Sequence, residues 1–400
     1  MRVAVIALSL AFAGPAAAGD WPQFRGPNGS AVSDETNLPV KFDRKTGEGV
    51  SWSAPLPGRG VSSPVVAGGA VYVTCSSGTR DDRLHVLAFD AATGKPRWHR
   101  QLAATGLTYC HPKTCMAAPT PVADASAVYA LFATGDLVAF DAAGNQLWYR
   151  SIVGDYPTVT NQVGMASSPV LAGDKLIVPM ENDGESFLAA VDTRTGRNVW
   201  KASRPKGVNW SSPTVREADG RREVLFAGNG GLSAYDADTG NRVWGYVPAA
   251  GSIPTPTLVG DLLLHASGGV TAIKLGEKPA EAWKARLSTG MTSPLAYQGR
   301  VYAANPTTGQ IACADLKSGK VLWQERAKGP FSASPVAADG KLYVINETGT
   351  LTVLKLGDTP EVLGVSELSE EGLATPAISG GGLFLRGEKT LIRVGSKGKG

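Results

Sequence analysis

Ala88-Phe89-Asp90-Ala91-Ala92-Thr93-Gly94-Lys95-Pro96-Arg97-Trp98 is matched, at the same spacing, by residues 190–200 and 234–244. The constant part is Ala-x-Asp-x-x-Thr-Gly-x-x-x-Trp. Asp bonds the main chain of a tight turn and Gly takes left-handed angles that other residues avoid, so each copy is a strand, a turn and a second strand ending on tryptophan. Upstream of every copy a Ser-Pro or Thr-Pro pair opens an apolar stretch. The opening prolines are Pro64, Pro121, Pro169, Pro213, Pro256, Pro294, Pro335 and Pro376, spaced by 57, 48, 44, 43, 38, 41 and 41 residues. A period near forty built from strands alone predicts a propeller or solenoid of four-stranded units.

In the first unit, Pro64-Val65-Val66 and Val71-Tyr72-Val73 flank Gly68-Gly69, and a third strand runs into the Asp90 turn. Two glycines permit the positive φ of a two-residue hairpin, and a proline at a strand start removes no ladder hydrogen bond. Related turns recur at Asp141, Asp192, Asp236 and Asp315, and the closing aromatics are Trp98, Trp148, Trp200, Trp244, Trp283 and Trp323. A tryptophan at a fixed offset in successive units is a packing element between blades. The seventh unit has Gly364 at that offset, and the eighth has room for three strands only. The missing strand is supplied by Val50-Ser51-Trp52-Ser53-Ala54, whose Trp52 stands 12 residues before Pro64. The expected fold is therefore all-β: an eight-bladed β-propeller of four-stranded antiparallel blades over residues 50–395, its ring closed by an N-terminal strand that completes the last blade.

The remaining segments read differently. Residues 1–18 combine Arg2, an apolar run too short to span a bilayer and Ala16-Ala17-Ala18, and are expected to be a signal peptide cleaved before Gly19. The protein is thus expected to be periplasmic or secreted, without a membrane anchor. Residues 19–49 are expected to pack on the ring, and the Gly- and Lys-rich residues 396–400 to be a disordered tail. The net charge of +4 is spread without a basic block, which argues against a nucleic-acid partner. Four cysteines in an oxidising setting favour a local disulfide between Cys110 and Cys115, with Cys75 and Cys313 as small buried apolar residues.

The Ala-x-Asp-x-x-Thr-Gly-x-x-x-Trp pattern resembles the PQQ-like β-propeller repeat, across essentially the whole mature chain. That family includes quinoprotein alcohol dehydrogenases and BamB-type lipoproteins, both eight-bladed rings with tryptophan docking motifs. Asp20-Trp21-Pro22-Gln23-Phe24-Arg25-Gly26-Pro27 is similar to the start of secreted members. The resemblance implies PQQ held against an adjacent-cysteine disulfide, with calcium and a catalytic aspartate, in the dehydrogenases. This chain has no Cys-Cys pair, and no cysteine follows Ala18 where the BamB-type proteins are lipidated. No cofactor and no metal site are expected. PQQ or calcium belongs to the alternative reading, a quinoprotein-type oxidoreductase.

Departures from the regular period mark the functional candidates. Most connections from a closing tryptophan to the next opening proline take 11 to 13 residues, but Trp98 to Pro121 takes 23 and Trp148 to Pro169 takes 21. Two more long stretches, residues 75–84 and 180–187, emerge on the same rim of an up-and-down blade. Function concentrates on such loops, and Tyr109, His111, Asn161, Gln162, Glu181, Asn182, Asp183 and Trp210 are the candidate binding residues. Trp210 is placed to stack on a planar or sugar-like ligand, or to join an apolar collar with Met165, Ile253, Met291, Phe331 and Leu373. The acidic loop at 181–185 offers hard oxygen ligands, and Cys110, His111, Cys115 and Met116 offer soft ones. No hydrolase elbow, phosphate loop or zinc signature occurs. The expected role is a binding module for an envelope or extracellular protein, or for a small-molecule ligand.

Overall fold

A computed structural model describes residues 19–160, 163–218, 220–246 and 253–395. The expected signal peptide, the expected tail, Asn161 and Gln162 lie outside the described residues. The described chain folds as eight four-stranded antiparallel sheets, with one short helix at Ile152–Asp155 and a 3-10 turn at Pro27–Gly29. It is an eight-bladed β-propeller. Blade 1 runs outward through Val65–Ala67, Ala70–Ser77, Arg83–Asp90 and Pro96–Ala103. The middle strands are buried on both faces because each blade is sandwiched between two others, which is why Ala127–Leu131 is apolar throughout.

Blade 8 contributes Ala377–Ser379, Gly382–Arg386 and Thr390–Gly395, and Val50–Pro55 supplies its outermost strand. The register pairs Val50 with Val394 and Pro55 with Thr390, so the ring is closed by a strand from the opposite end of the chain. Arg386 ties this seam to blade 1. Fully buried, it donates to the Ser62 carbonyl at 3.1 Å and the Ser62 hydroxyl at 2.5 Å, and lies 3.4 Å from Cys75 Sγ.

Each closing tryptophan docks onto the next blade. Indole Nε1 donates to Ala91 O from Trp52, Ala142 O from Trp98, Thr193 O from Trp148, Ala237 O from Trp200, Leu316 O from Trp283 and Gly357 O from Trp323, at 2.8–3.1 Å. The turn glycine lies flat against the same ring. A Cβ on Gly196, which has φ +70°, would stand 2.7 Å from the Trp148 ring, so glycine is required for contact as well as for dihedral angle. Blade 5 lacks the Asp-x-x-Thr-Gly turn, and Trp244 Nε1 has no hydrogen-bond partner.

The hydroxyl residue before each opening proline has a role that strand propensity does not reveal. The main-chain N–H of Ser63 donates to Thr120 Oγ1, Thr120 to Ser168, Ser168 to Ser212, Ser212 to Thr255, Thr255 to Ser293, Ser293 to Ser334 and Ser334 to Thr375, each at 2.9–3.0 Å. Each blade hands a donor to the next around the inside of the ring. Proline follows because its fixed φ starts the inner strand without taking a ladder donor away.

Residues 19–49 cross one mouth of this ring. Trp21 pairs with Val66 of blade 1, Ala123 N of blade 2 donates to Pro22 O, and Val32 pairs with Ala337 of blade 7. Arg25 reaches across to the Thr255 and Pro294 carbonyls at 3.5 and 2.5 Å, at the starts of blades 5 and 6. Farther on, Phe42 is buried and its N–H donates to Ser366 Oγ in the outer strand of blade 7. This explains Gly364. A Cβ there would come within 2.1 Å of Val40 O, so the unit that lacks a tryptophan is packed instead by the N-terminal segment.

Candidate functional site

The two inserted connections and the two long loops meet at the rim opposite the N-terminal segment. The first insertion is anchored by Asp136, a fully buried carboxylate that accepts from Thr105 N at 3.1 Å, Thr105 Oγ1 at 2.7 Å, Thr134 Oγ1 and Tyr149 Oη. Burial and this bond to Asp136 push the Tyr149 phenol up to about 12. Ala104 N donates to Asp82 O, which brings in the loop after Cys75. At its far end the insertion meets the second one. His111 N donates to Val163 O at 3.2 Å, and a Cβ on Gly164 would stand 2.9 Å from Cys110 Cβ.

The second insertion is held from two sides. Trp210 Nε1 donates to Gly164 O at 2.9 Å, and Thr160 N donates to Asn182 Oδ1 at 3.1 Å. Asp183 N and Glu185 N donate back to Thr160 O and Thr158 O. Asn182 staples its own loop by donating to Met180 O and Glu185 O. Its side chain is used up by the fold.

Several candidate residues therefore have roles other than ligand binding. Glu181 points inward and forms an ion pair with Arg204 Nε, both side chains at most 2% exposed. Burial pushes the Glu181 carboxyl up, against the opposing effects of Arg204 and Asn209. Arg204 also donates to Tyr235 Oη at 2.9 Å and lies over the Phe226 ring. Asp183 is exposed, and Trp210 is a strut for the second insertion. The expected Cys110–Cys115 disulfide is not formed: both are free thiols. The turn in which Thr114 N donates to His111 O carries Cys115 into the core between blades 1 and 2 beside Met116, whereas Cys110 stays half-buried against Gly164. Cys75 and Cys313 are buried as expected.

The first insertion presents two large side chains outward. Leu107 and Tyr109 are 62% and 63% exposed, two residues apart, on a stretch pinned at Thr105 and His111. Farther along, Arg59 donates to Pro112 O and Thr114 O, and Lys113 pairs with Glu347 of blade 7 at 2.9 Å. The insertion thus leans from blade 1 back toward blade 7. Asp136 and the Lys113–Glu347 pair were not legible in the sequence, since nothing in the repeat marks them.

A family model described as outer membrane protein assembly factor BamB matches residues 26–210, 163–278, 266–359 and 308–397. The chain belongs to the BamB family of PQQ-like propellers. Among curated relatives of this BamB-family chain, polyvinylalcohol dehydrogenase of Sphingopyxis sp. is 24% identical over 68% of the chain and 54% of its own length. Tetrathionate hydrolase of Acidithiobacillus ferrooxidans is 23% identical over 85% of the chain and 65% of its own length, and BamB of Yersinia pestis 23% identical over 53% and 58%. The chain spans between about half and two thirds of these relatives. The solved BamB of Moraxella catarrhalis superposes with a TM-score of 0.64 at 18% identity, covering 86% of the chain and 97% of that structure. Quinohemoprotein alcohol dehydrogenase of Comamonas testosteroni gives 0.72 at 15% identity, covering 96% and 81%. These structures share the fold.

Among the described residues of this BamB-family ring, no group of three His, Cys, Asp or Glu side chains is placed to hold a metal ion. The acidic loop fails as a calcium cage because Glu181 is turned into its ion pair and Asn182 into its own loop. Two of the histidines, His85 and His265, are buried within blades. His85 Nδ1 lies 2.9 Å from His99 Nε2 inside blade 1, and His265 is buried in blade 5 with neither ring nitrogen bonded. Burial lowers the His265 pKa to about 4, against an unfolded value of 6.5. Because the folded form resists the proton, its contribution to stability is complete above pH 6.5 and is lost as pH falls toward 4, by about 3 kcal/mol. Urea midpoints at pH 7.5 and 4.5 are expected to differ less in His265→Leu than in the parent chain.

Proposed function

We propose that this protein is a periplasmic or secreted binding module that takes an envelope or extracellular protein on its loop-bearing rim at blades 1–3. The observation that carries the reading is the pair Leu107 and Tyr109, both mostly exposed on a loop tied down at each end. Exposed aromatic and aliphatic side chains held in place by their surroundings make good anchors, because little freedom is lost on contact. Relatives whose names include outer membrane protein assembly factor support a role in the cell envelope. Tyr109 and His111 face the partner in this reading; Asn182 and Trp210 hold the loops that present them.

The test is capture of envelope proteins by the full chain, with Leu107→Ser/Tyr109→Ser as the matched control. Loss of a captured partner by at least tenfold, with an unchanged melting temperature, is the expected result. Equal capture by both chains overturns the assignment. The alternative, a quinoprotein-type oxidoreductase, is addressed by adding PQQ with calcium and following dye-linked alcohol oxidation. Turnover with retained quinone absorbance would replace the binding-module reading.

A further inference from the structure

A cavity lies away from the long loops, on the same rim at blade 5. It has a volume of about 520 Å³, within the range of small-molecule sites. Its walls come from three connections: Ile253 and Pro254 entering the blade, Gly268 between its second and third strands, and Arg286, Ser288 and Thr289 leaving it. These connections are short, so blade 5 leaves a depression where blades 1–3 build upward.

The chemistry of the wall is one-sided. Among the described residues no carboxylate lines the cavity and Arg286 makes no hydrogen bond or ion pair. The exposed Arg286 guanidinium with no carboxylate in the lining favours an anion, and Arg meets a carboxylate with paired donors. The hydroxyls of Ser288 and Thr289 supply neutral partners, and Ile253 and Pro254 an apolar wall. Gly268 faces open space, where a Cβ would meet nothing within 4 Å.

We propose that this cavity binds a small hydroxylated carboxylate of the sugar-acid class, with the carboxylate on Arg286, the ring hydroxyls on Ser288 and Thr289, and the C–H face against Ile253 and Pro254. The site is separate from Leu107 and Tyr109, so it stands or falls independently of the protein-binding role.

Isothermal titration of the full chain with D-glucuronate tests the assignment, with D-glucose and acetate as the uncharged and unhydroxylated counterparts. Saturable binding of glucuronate, at least tenfold tighter than either counterpart, is expected. Arg286→Gln should weaken it by tenfold or more without moving the melting temperature, since Arg286 is exposed and supports no other residue. Acetate binding as tightly as glucuronate would show an adventitious ion only, and would overturn the proposal. So would glucose binding equally well, no binding at about 10 mM, a concentration well above a millimolar Kd, or an affinity unchanged in Arg286→Gln.

Discussion

Deleting residues 19–56 is expected to abolish the cooperative thermal transition of the ring, not merely to lower it by a few degrees. The deletion removes three things at once. It takes away the outer strand of blade 8, leaving Thr390–Gly395 with an unpaired edge. It takes away Trp52, whose indole is 9% exposed and bonds Ala91 O of blade 1. It also strips Trp21, Arg25 and Phe42 from the mouth of the ring and uncovers Gly364. Losing a buried tryptophan alone costs about 3–5 kcal/mol, a large share of a typical domain's 5–15 kcal/mol. Scanning calorimetry decides the matter. A chain starting at residue 57 that melts like the parent would show that the ring does not depend on its closing strand, and Trp52→Ala offers a milder version with the same sign.

The second large effect is expected at the Arg204–Glu181 pair. Arg204→Ala should cost about 3–5 kcal/mol, because it strands a carboxylate that is completely shielded from water. It also removes the donor to Tyr235 Oη and the contact with Phe226. Glu181→Leu/Arg204→Met should be far less damaging than the single change, since burying two charges is itself costly and an apolar pair of similar size avoids that cost. Urea unfolding of the three chains tests this. A single mutant within about 1 kcal/mol of the parent would mean that the pair is hydrated in solution. Since Glu181 begins the loop that Asn182 staples, Arg204→Ala is also expected to expose residues 181–186 to proteolysis.

The fold was legible because its elements repeat. Eight opening prolines and a run of closing tryptophans expose the architecture even at weak similarity, and the missing strand of blade 8 pointed directly to Trp52. What was not legible depends on contacts between units. The Ser or Thr before each proline looks like a strand boundary, and only the assembled ring shows its hydroxyl accepting from the preceding blade. Gly364 looks like a lost tryptophan until Val40 is found lying on it.

The site was legible only in part. Counting residues between Trp98 and Pro121 finds loops that rise above the rim, and these do interlock through His111, Val163, Gly164 and Trp210. Composition suggested Glu181 and Asn182 as ligands, but side-chain direction, invisible in a loop sequence, sends one into an ion pair and the other into its own turn. The same counting cannot find the cavity at blade 5, because a hollow arises where connections are short. Nor can it find Asp136, whose importance comes from gathering Thr134 beside it with Thr105 and Tyr149 from other strands and loops.

The closing strand also dictates an order of events. Ser51 bonds Gly395 across 344 positions, so the first-made part of the ring has to wait for the last-made part. Blades 1 to 7 each assemble from neighbouring hairpins as the chain emerges, whereas blade 8 joins the two ends and bears the slow, long-range search. Until synthesis is complete, residues 50–55 are a strand without a partner. Among the described residues, the same seam is the one place in the ring where a blade's integrity depends on residues more than three hundred positions apart.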